Sequence, residues 1–214
     1  MAPPRFRLIS EVEARALPHG ATVELEVGGL VTPLARETLA ANRVTVVPAG
    51  STDAALPADL IPPADVRRVA IGSDHTGVAL KATLVAHLRR QGRAVTDCGT
   101  ETTEAVDYPD IAERVGRTVA RGEADGGIVI DGAGIGSAMA ANKIRGIRAA
   151  MCLTPTIARY ARAHNGANVL TLGATLVDPG EAVAIVDMWL STPMTEARYA
   201  RRLLKIRRLD EGRS

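Results

Sequence analysis

From Val66 onward, short apolar runs alternate with longer stretches whose apolar positions recur at helical spacing. The runs Arg68–Ile71, Ala94–Asp97, Gly127–Ile130, Arg148–Cys152 and Val169–Leu172 read as strands, most of them too apolar to face water on either side. Between and after them the pattern predicts helices at Val78–Gln91, Tyr108–Arg121, Ile135–Lys143, Pro155–His164, Glu181–Leu190 and Thr195–Arg208. This alternation predicts an α/β fold: a doubly wound parallel sheet of about five strands with helices on both faces. Before Val66 the rhythm gives a helix at Ile9–Leu17, a strand at Thr22–Val27, a helix at Pro33–Ala41 and a strand at Val44–Val47. Thr32 followed by Pro33 is a helix N-cap with proline in the first turn. Residues 1–48 therefore read as a small α+β extension. Residues 49–65, with Pro57, Pro62 and Pro63 among Ala, Ser and Asp, read as a linker, and residues 66–214 as the main domain.

Composition adds limits. Apolar residues are 46% of the 214-residue chain and aromatics only 2%, so the core must be aliphatic. A net charge of +2 gives no basis for nucleic-acid binding, although Arg198 to Arg208 is locally basic. No apolar stretch reaches the roughly 18–20 residues of a membrane span, and no signal-peptide core is visible, so a cytoplasmic location is expected. Cys98 and Cys152 lack metal-ligand spacing and read as small buried hydrophobes.

In open α/β sheets, ligands bind beyond the carboxyl ends of the strands. That rule draws attention to Asp74-His75 after the first core strand, Asp131 to Ser137 after the third, and His164-Asn165 just before the fifth. In Asp131-Gly132-Ala133-Gly134-Ile135-Gly136-Ser137, a carboxylate at a strand tip precedes three alternating glycines and a helix start. Such a loop can turn N–H groups inward as an anion site beside a potential base. It follows the third strand instead of the first, so it is not the dinucleotide fingerprint. Plainer readings stand beside these. Asp74 could be a helix N-cap with an incidental His75, and Asp107-Tyr108-Pro109-Asp110 only a capping turn. His164-Asn165 could be a helix C-cap, and Arg198, Arg201 and Arg202 a solvated face. Arg198 and Arg202 are spaced i, i+4 and share a helical face. On the same helix Tyr199, Leu203 and Ile206 make an apolar side suited to packing across a subunit interface.

The order of these motifs is more specific than any one of them. Gly72-Ser-Asp74-His75-Thr-Gly77, Asp107-Tyr108-Pro109, Asp125-Gly-Gly-Ile-Val-Ile-Asp131-Gly-Ala-Gly-Ile-Gly136, Ala140-Ala-Asn142-Lys143, Gly146-Ile-Arg148-Ala and His164-Asn165 together resemble ribose-5-phosphate isomerase B and its sugar-phosphate isomerase relatives, galactose-6-phosphate isomerase subunits included. The resemblance covers about residues 66–210. It implies a Rossmann-like aldose–ketose isomerase without metal or other cofactor, working on ribose 5-phosphate through a cis-enediol in a homodimer, or a dimer of dimers, with shared active sites. Carried over by position, Asp74 and His75 would contact sugar hydroxyls and phosphate, Tyr108 would line the pocket, and His164 with Asn165 would assist ring opening. Arg198 and Arg202 would hold the phosphate, and the loop from Gly132 to Gly136 would offer N–H groups to the enediolate.

One departure stands out. Many members of the family carry cysteine where this chain has Asp131, and others glutamate where it has Ser137. Asp131 is therefore read as the replacement base, with Ala133 altering the proton shuttle; the alternative is that Asp131 binds a substrate hydroxyl and the activity has changed or been lost. A hexose 6-phosphate of the galactose or allose type, or binding without turnover in a scaffold subunit, are the rival functions. Val31-Thr-Pro-Leu-Ala-Arg36 resembles short segments of bacterial microcompartment proteins, which implies a shell or enzyme partner for residues 1–48 and a location within a microcompartment. A packing or dimerisation appendage is the plainer reading.

Overall fold

The computed structural model describes residues 3–49 and 60–212; the side chains of Val27, Ala197 and Arg198, and most of the expected linker, lie outside the described residues. The chain divides into two compact units between residues 56 and 57.

The first unit is a βαβαβ wind: β1 (Arg5–Ile9), α1 (Glu11–Ala16), β2 (Thr22–Val31), α2 (Pro33–Ala41) and β3 (Thr45–Pro48). Its strands run in the order β1-β2-β3 and are all parallel, so this unit is itself α/β and not the segregated α+β arrangement expected. Strand β1 is an addition to the sequence reading, and Ile9 belongs to it instead of to the first helix. Ser10 caps α1 through a capping box with Glu13, and the Thr32 hydroxyl accepts from the Ala35 N–H at the start of α2. Ile9, Ala14, Val23, Ala35, Leu39 and Val44 form its core.

The second unit is a five-stranded, wholly parallel sheet in the order β5-β4-β6-β8-β7. Its strands are β4 (Arg68–Ser73), β5 (Ala94–Asp97), β6 (Gly126–Asp131), β7 (Ala149–Met151) and β8 (Val169–Gly173). Its helices are α3 (Val78–Arg90), α4 (Tyr108–Ala120), α5 (Ile135–Ala141), α6 (Pro155–Asn165), α7 (Pro179–Ser191) and α8 (Ala197–Asp210). Alternate strand residues serve opposite faces. Val69, Ile71, Ile128, Ile130, Leu170 and Leu172 pack with α3, α6 and α7, and Ala70, Val129 and Val169 with α4 and α5. Both faces are buried, as the apolar strand runs require.

Residues 60–63 belong to this unit, although the sequence places the domain start at Val66. The Arg148 guanidinium donates to the Leu60 carbonyl at 3.1 Å and that of Arg162 to the Pro63 carbonyl at 2.8 Å. Arg162 is almost wholly buried under the Trp189 ring, and burial lowers its pKa to about 10. Helix α8 docks on its own chain: Leu203 is buried and Tyr199 stacks on His164. The expected apolar side of this helix is thus largely used within the protomer, and only Ile206 remains substantially exposed.

Candidate functional site

The two central strands, β4 and β6, end side by side. The Asp74 N–H donates to the Ile130 carbonyl at 3.0 Å, which places Asp74 next to Asp131 at the carboxyl edge of the sheet. Asp74 is nearly buried, and its Oδ1 accepts from the Thr76 N–H and hydroxyl at 2.9 and 2.5 Å. This is an Asx turn, not the N-cap of α3, whose cap position is Gly77. Among the described residues, no donor reaches Asp74 Oδ2. The Val106 N–H donates to His75 Nδ1 at 3.3 Å, so the neutral imidazole carries its proton on Nε2.

Asp131 is 4% exposed, and the glycine loop closes onto it. Oδ1 accepts from the N–H groups of Ala133, at 2.8 Å, and Gly134; Oδ2 accepts from the N–H and hydroxyl of Ser137 at 2.9 and 2.5 Å. Four donors fill the roughly four lone-pair sites of a carboxylate. The anion held by Ala133, Gly134 and Ser137 is therefore the protein's own Asp131, where the sequence reading had the loop N–H groups facing an enediolate. Gly132, Ile135 and Gly136 are the loop positions whose N–H groups are not committed to Asp131.

The loop is fixed from its other side too. The hydroxyls of Thr171 and Thr175 donate to the carbonyls of Gly134 and Gly132 at 2.7 and 2.6 Å. Gly134 caps α5 at φ 77°, a left-handed conformation that favours glycine. At Gly136 a Cβ would lie 2.6 Å from Tyr108 Cζ, so only glycine lets the half-exposed Tyr108 ring settle on the loop. Asp107 occupies the N-cap position of α4, but its side chain makes no capping bond. Asp74, His75, Tyr108 and the segment Asp131–Ser137 thus form one group.

His164, Asn165 and Arg202 form another. Helix α6 runs back from the end of β7 to the start of β8, so its last residues sit at the amino edge of the sheet. At about 3.3 Å per residue, the strands separate the two groups by roughly 15 Å. The expectation that His164 and Asn165 join the carboxyl-edge cluster of their own chain is corrected here: a residue just before a parallel strand lies at the opposite edge. Asn165 ends α6 and is exposed, and Gly166 follows as a left-handed C-cap. His164 lies between the rings of Tyr160 and Tyr199, and the exposed Arg202 guanidinium lies over Tyr199. The backbone of Arg198 is in α8, but its side chain lies outside the described residues.

Neither cysteine belongs to these groups. Cys152 is buried in the core, where burial pushes its thiol up to about 12. Burial also raises Cys98, against a hydrogen bond with Thr118 that lowers it. Among the described residues no cluster of three or more His, Cys, Asp or Glu side chains could hold a metal ion, and no helix is long and apolar enough to cross a membrane. Thr76 stands in the Gly72–Gly77 motif with no role assigned to it from sequence, and Thr171 and Thr175 belong to none of the motifs. Thr171, a polar residue inside an apolar strand run, carried a visible signal.

Residues 69–206 match the model of a family described as Ribose/Galactose Isomerase. The chain is 42% identical over 149 residues to ribose-5-phosphate isomerase B of Escherichia coli K12, an alignment spanning 70% of this chain and all of that protein. Among solved structures it is similar to ribose-5-phosphate isomerase B of Clostridium thermocellum, at 44% identity and a TM-score of 0.67, covering 69% of this chain and 99% of that one. It is also similar to the Mycoplasma genitalium enzyme solved with bound ribulose 5-phosphate, at 38% identity and a TM-score of 0.65, covering 67% and 96% of the two chains.

Proposed function

The chain belongs to the ribose/galactose isomerase family, whose members interconvert aldoses and ketoses, and from that premise we propose that it interconverts D-ribose 5-phosphate and D-ribulose 5-phosphate. The observation that carries the reading is the carboxyl-edge group: two carboxylates, Asp74 and Asp131, beside a glycine loop roofed by Tyr108. Aldose–ketose exchange moves one proton from C2 to C1 and another from O2 to O1 through a cis-enediol, which needs a base to carry the first, a role a carboxylate can fill, and hydrogen-bonding groups at the two oxygens. In our reading Asp131 carries it, and the Ser137 hydroxyl turns away to free a lone pair on Oδ2. His75, through Nε2–H, and Gly132 and Gly136 contact the sugar oxygens. A second reading is favoured by the four hydrogen bonds already on Asp131: it anchors the loop, and Asp74, with Oδ2 open, moves the proton.

The amino-edge group cannot reach that site within one chain, which supports a homodimer with shared sites. Exposed apolar residues flank the edge strand β7: Ile135 and Met139 on α5, and Leu153, Ile157 and Tyr160 at α6. A two-fold axis there would bring His164, Asn165, Arg198 and Arg202 of one copy to the Asp131 pocket of the other. His164 and Asn165 would then open the furanose ring and the arginines would grip the phosphate. The test is turnover of ribose 5-phosphate by chelator-treated protein, with galactose and allose 6-phosphates alongside. Pentose turnover supports the proposal. Turnover of hexose phosphates alone, or binding without turnover, contradicts it.

A further inference from the structure

Helices α6 and α8 carry a ladder of five stacked side chains. The Arg159 guanidinium lies 4.7 Å from the Tyr160 ring centroid. Tyr160 and His164 stack at 4.8 Å with 21° between their planes, and His164 and Tyr199 at 4.5 Å with 29°. The Arg202 guanidinium lies 5.3 Å from the centroid of Tyr199. Helical spacing alone makes neighbours of Tyr160 and His164, and of Tyr199 and Arg202. The contact of His164 with Tyr199 joins the two helices.

Tyr199 is therefore in contact with both His164 and Arg202. In the proposed function these two groups act on opposite ends of one substrate, the imidazole at the sugar ring and the guanidinium at the phosphate. An aromatic face attracts both, by ring stacking and by cation–π attraction. Tyr160 backs the imidazole on its far side, so His164 cannot slide away from Tyr199. We propose that Tyr199 is a positioning residue that fixes the spacing between Arg202 and His164, and so sets the length of sugar phosphate the enzyme turns over. This rests on the roles given to His164 and Arg202 above. A hexose 6-phosphate has one more carbon between phosphate and reacting carbons than ribose 5-phosphate, and the spacer discriminates against it. Seating of α8 does not depend on this ring, because Ala200 and Leu203, both 1% exposed, anchor the helix.

The experiment compares steady-state constants of the wild type, Tyr199→Phe and Tyr199→Leu on ribose 5-phosphate and allose 6-phosphate, with His164→Gln and Arg202→Ala as controls. Phenylalanine keeps the stack and should retain more kcat/KM on ribose 5-phosphate than leucine does. Misplacing reacting groups by about 1 Å can cost 10²-fold, so Tyr199→Leu should lose about 10- to 100-fold in kcat/KM on ribose 5-phosphate, with kcat lowered and KM raised together. The hexose-to-pentose ratio of kcat/KM should rise. Unchanged constants in Tyr199→Leu, or an equal loss on both sugars, would overturn the proposal. So would loss of cooperative thermal unfolding in both Tyr199→Leu and Tyr199→Met, which would assign the ring to packing. If the two controls turn over ribose 5-phosphate normally, the underlying functional reading is wrong. If they are impaired and Tyr199→Leu is not, only the spacer role is lost.

Discussion

The backbone N–H and the hydroxyl of Ser137 both donate to the same oxygen of Asp131, at 2.9 and 2.5 Å. A carboxylate bound in this way can accept a substrate proton only by giving up a bond, and the hydroxyl is the one free to rotate. Ser137→Ala should therefore leave turnover of ribose 5-phosphate at or above the wild-type rate, whereas Asp131→Asn should lower kcat by about 10²–10⁴. Asp74→Asn should chiefly raise KM. The reverse order, with Asp74→Asn the slower enzyme, would move the base to Asp74. Steady-state kinetics of the three variants decides between them.

Thiol chemistry provides an independent check. Cys152 is buried with its thiol pushed up to about 12, and Cys98 is also raised by burial, so little thiolate exists on either at neutral pH. Iodoacetamide should leave wild-type turnover unchanged. Asp131→Cys should recover part of the turnover lost in Asp131→Asn and become sensitive to alkylation, followed by peptide mass spectrometry and activity together.

The segment Leu60–Pro63 supplies carbonyl acceptors to two arginines, Arg148 and Arg162. A chain starting at residue 57 should unfold in urea like the second unit of the full protein. One starting at residue 66 should lose about 1.5–3 kcal/mol for each guanidinium left without its carbonyl. Equal denaturation midpoints for the two truncations would show that the arginines find other acceptors.

Asp125 ties the start of β4 to that of β6. Burial raises its carboxyl, but hydrogen bonds from the Arg68 side chain and the N–H groups of Arg68 and Arg67 outweigh this and hold it below the usual 3.8. A depressed carboxyl contributes stability that is complete above its unfolded pKa and lost as pH falls through its folded one. Asp125→Asn should therefore destabilise the protein at neutral pH, by about 1–3 kcal/mol, and flatten its acid dependence below pH about 4. Melting curves across this range provide the measurement.

The sequence was most legible where one physical signal dominates. Apolar strand runs and capped helices in residues 66–214 reappear within a few residues of their expected bounds, and Pro33–Ala41 is unchanged, because burial and capping are local patterns. Strand β1 was hidden, since Arg5-Phe-Arg-Leu mixes charge with apolar residues and Ile9 fits a helical period as well as a strand end. The candidate site was legible as a set of residues and less so as an arrangement. A carboxylate next to N–H donors in sequence does not reveal that they will satisfy each other, as Asp131 and its loop do. His164 and Tyr199 lie 35 positions apart, with no pattern linking them before α8 folds against α6.

The central claim is an isomerase whose site is completed by a second copy, and mixing two inactive variants tests it most directly. Asp131→Asn damages the carboxyl-edge group and Arg202→Ala the amino-edge group, so each homodimer carries the same defect in both sites. After equal amounts are unfolded and refolded together, random pairing makes about half of the dimers mixed, each with one intact site, and about a quarter of wild-type ribose 5-phosphate turnover should return. A mixture no more active than its separately refolded components would contradict the shared site.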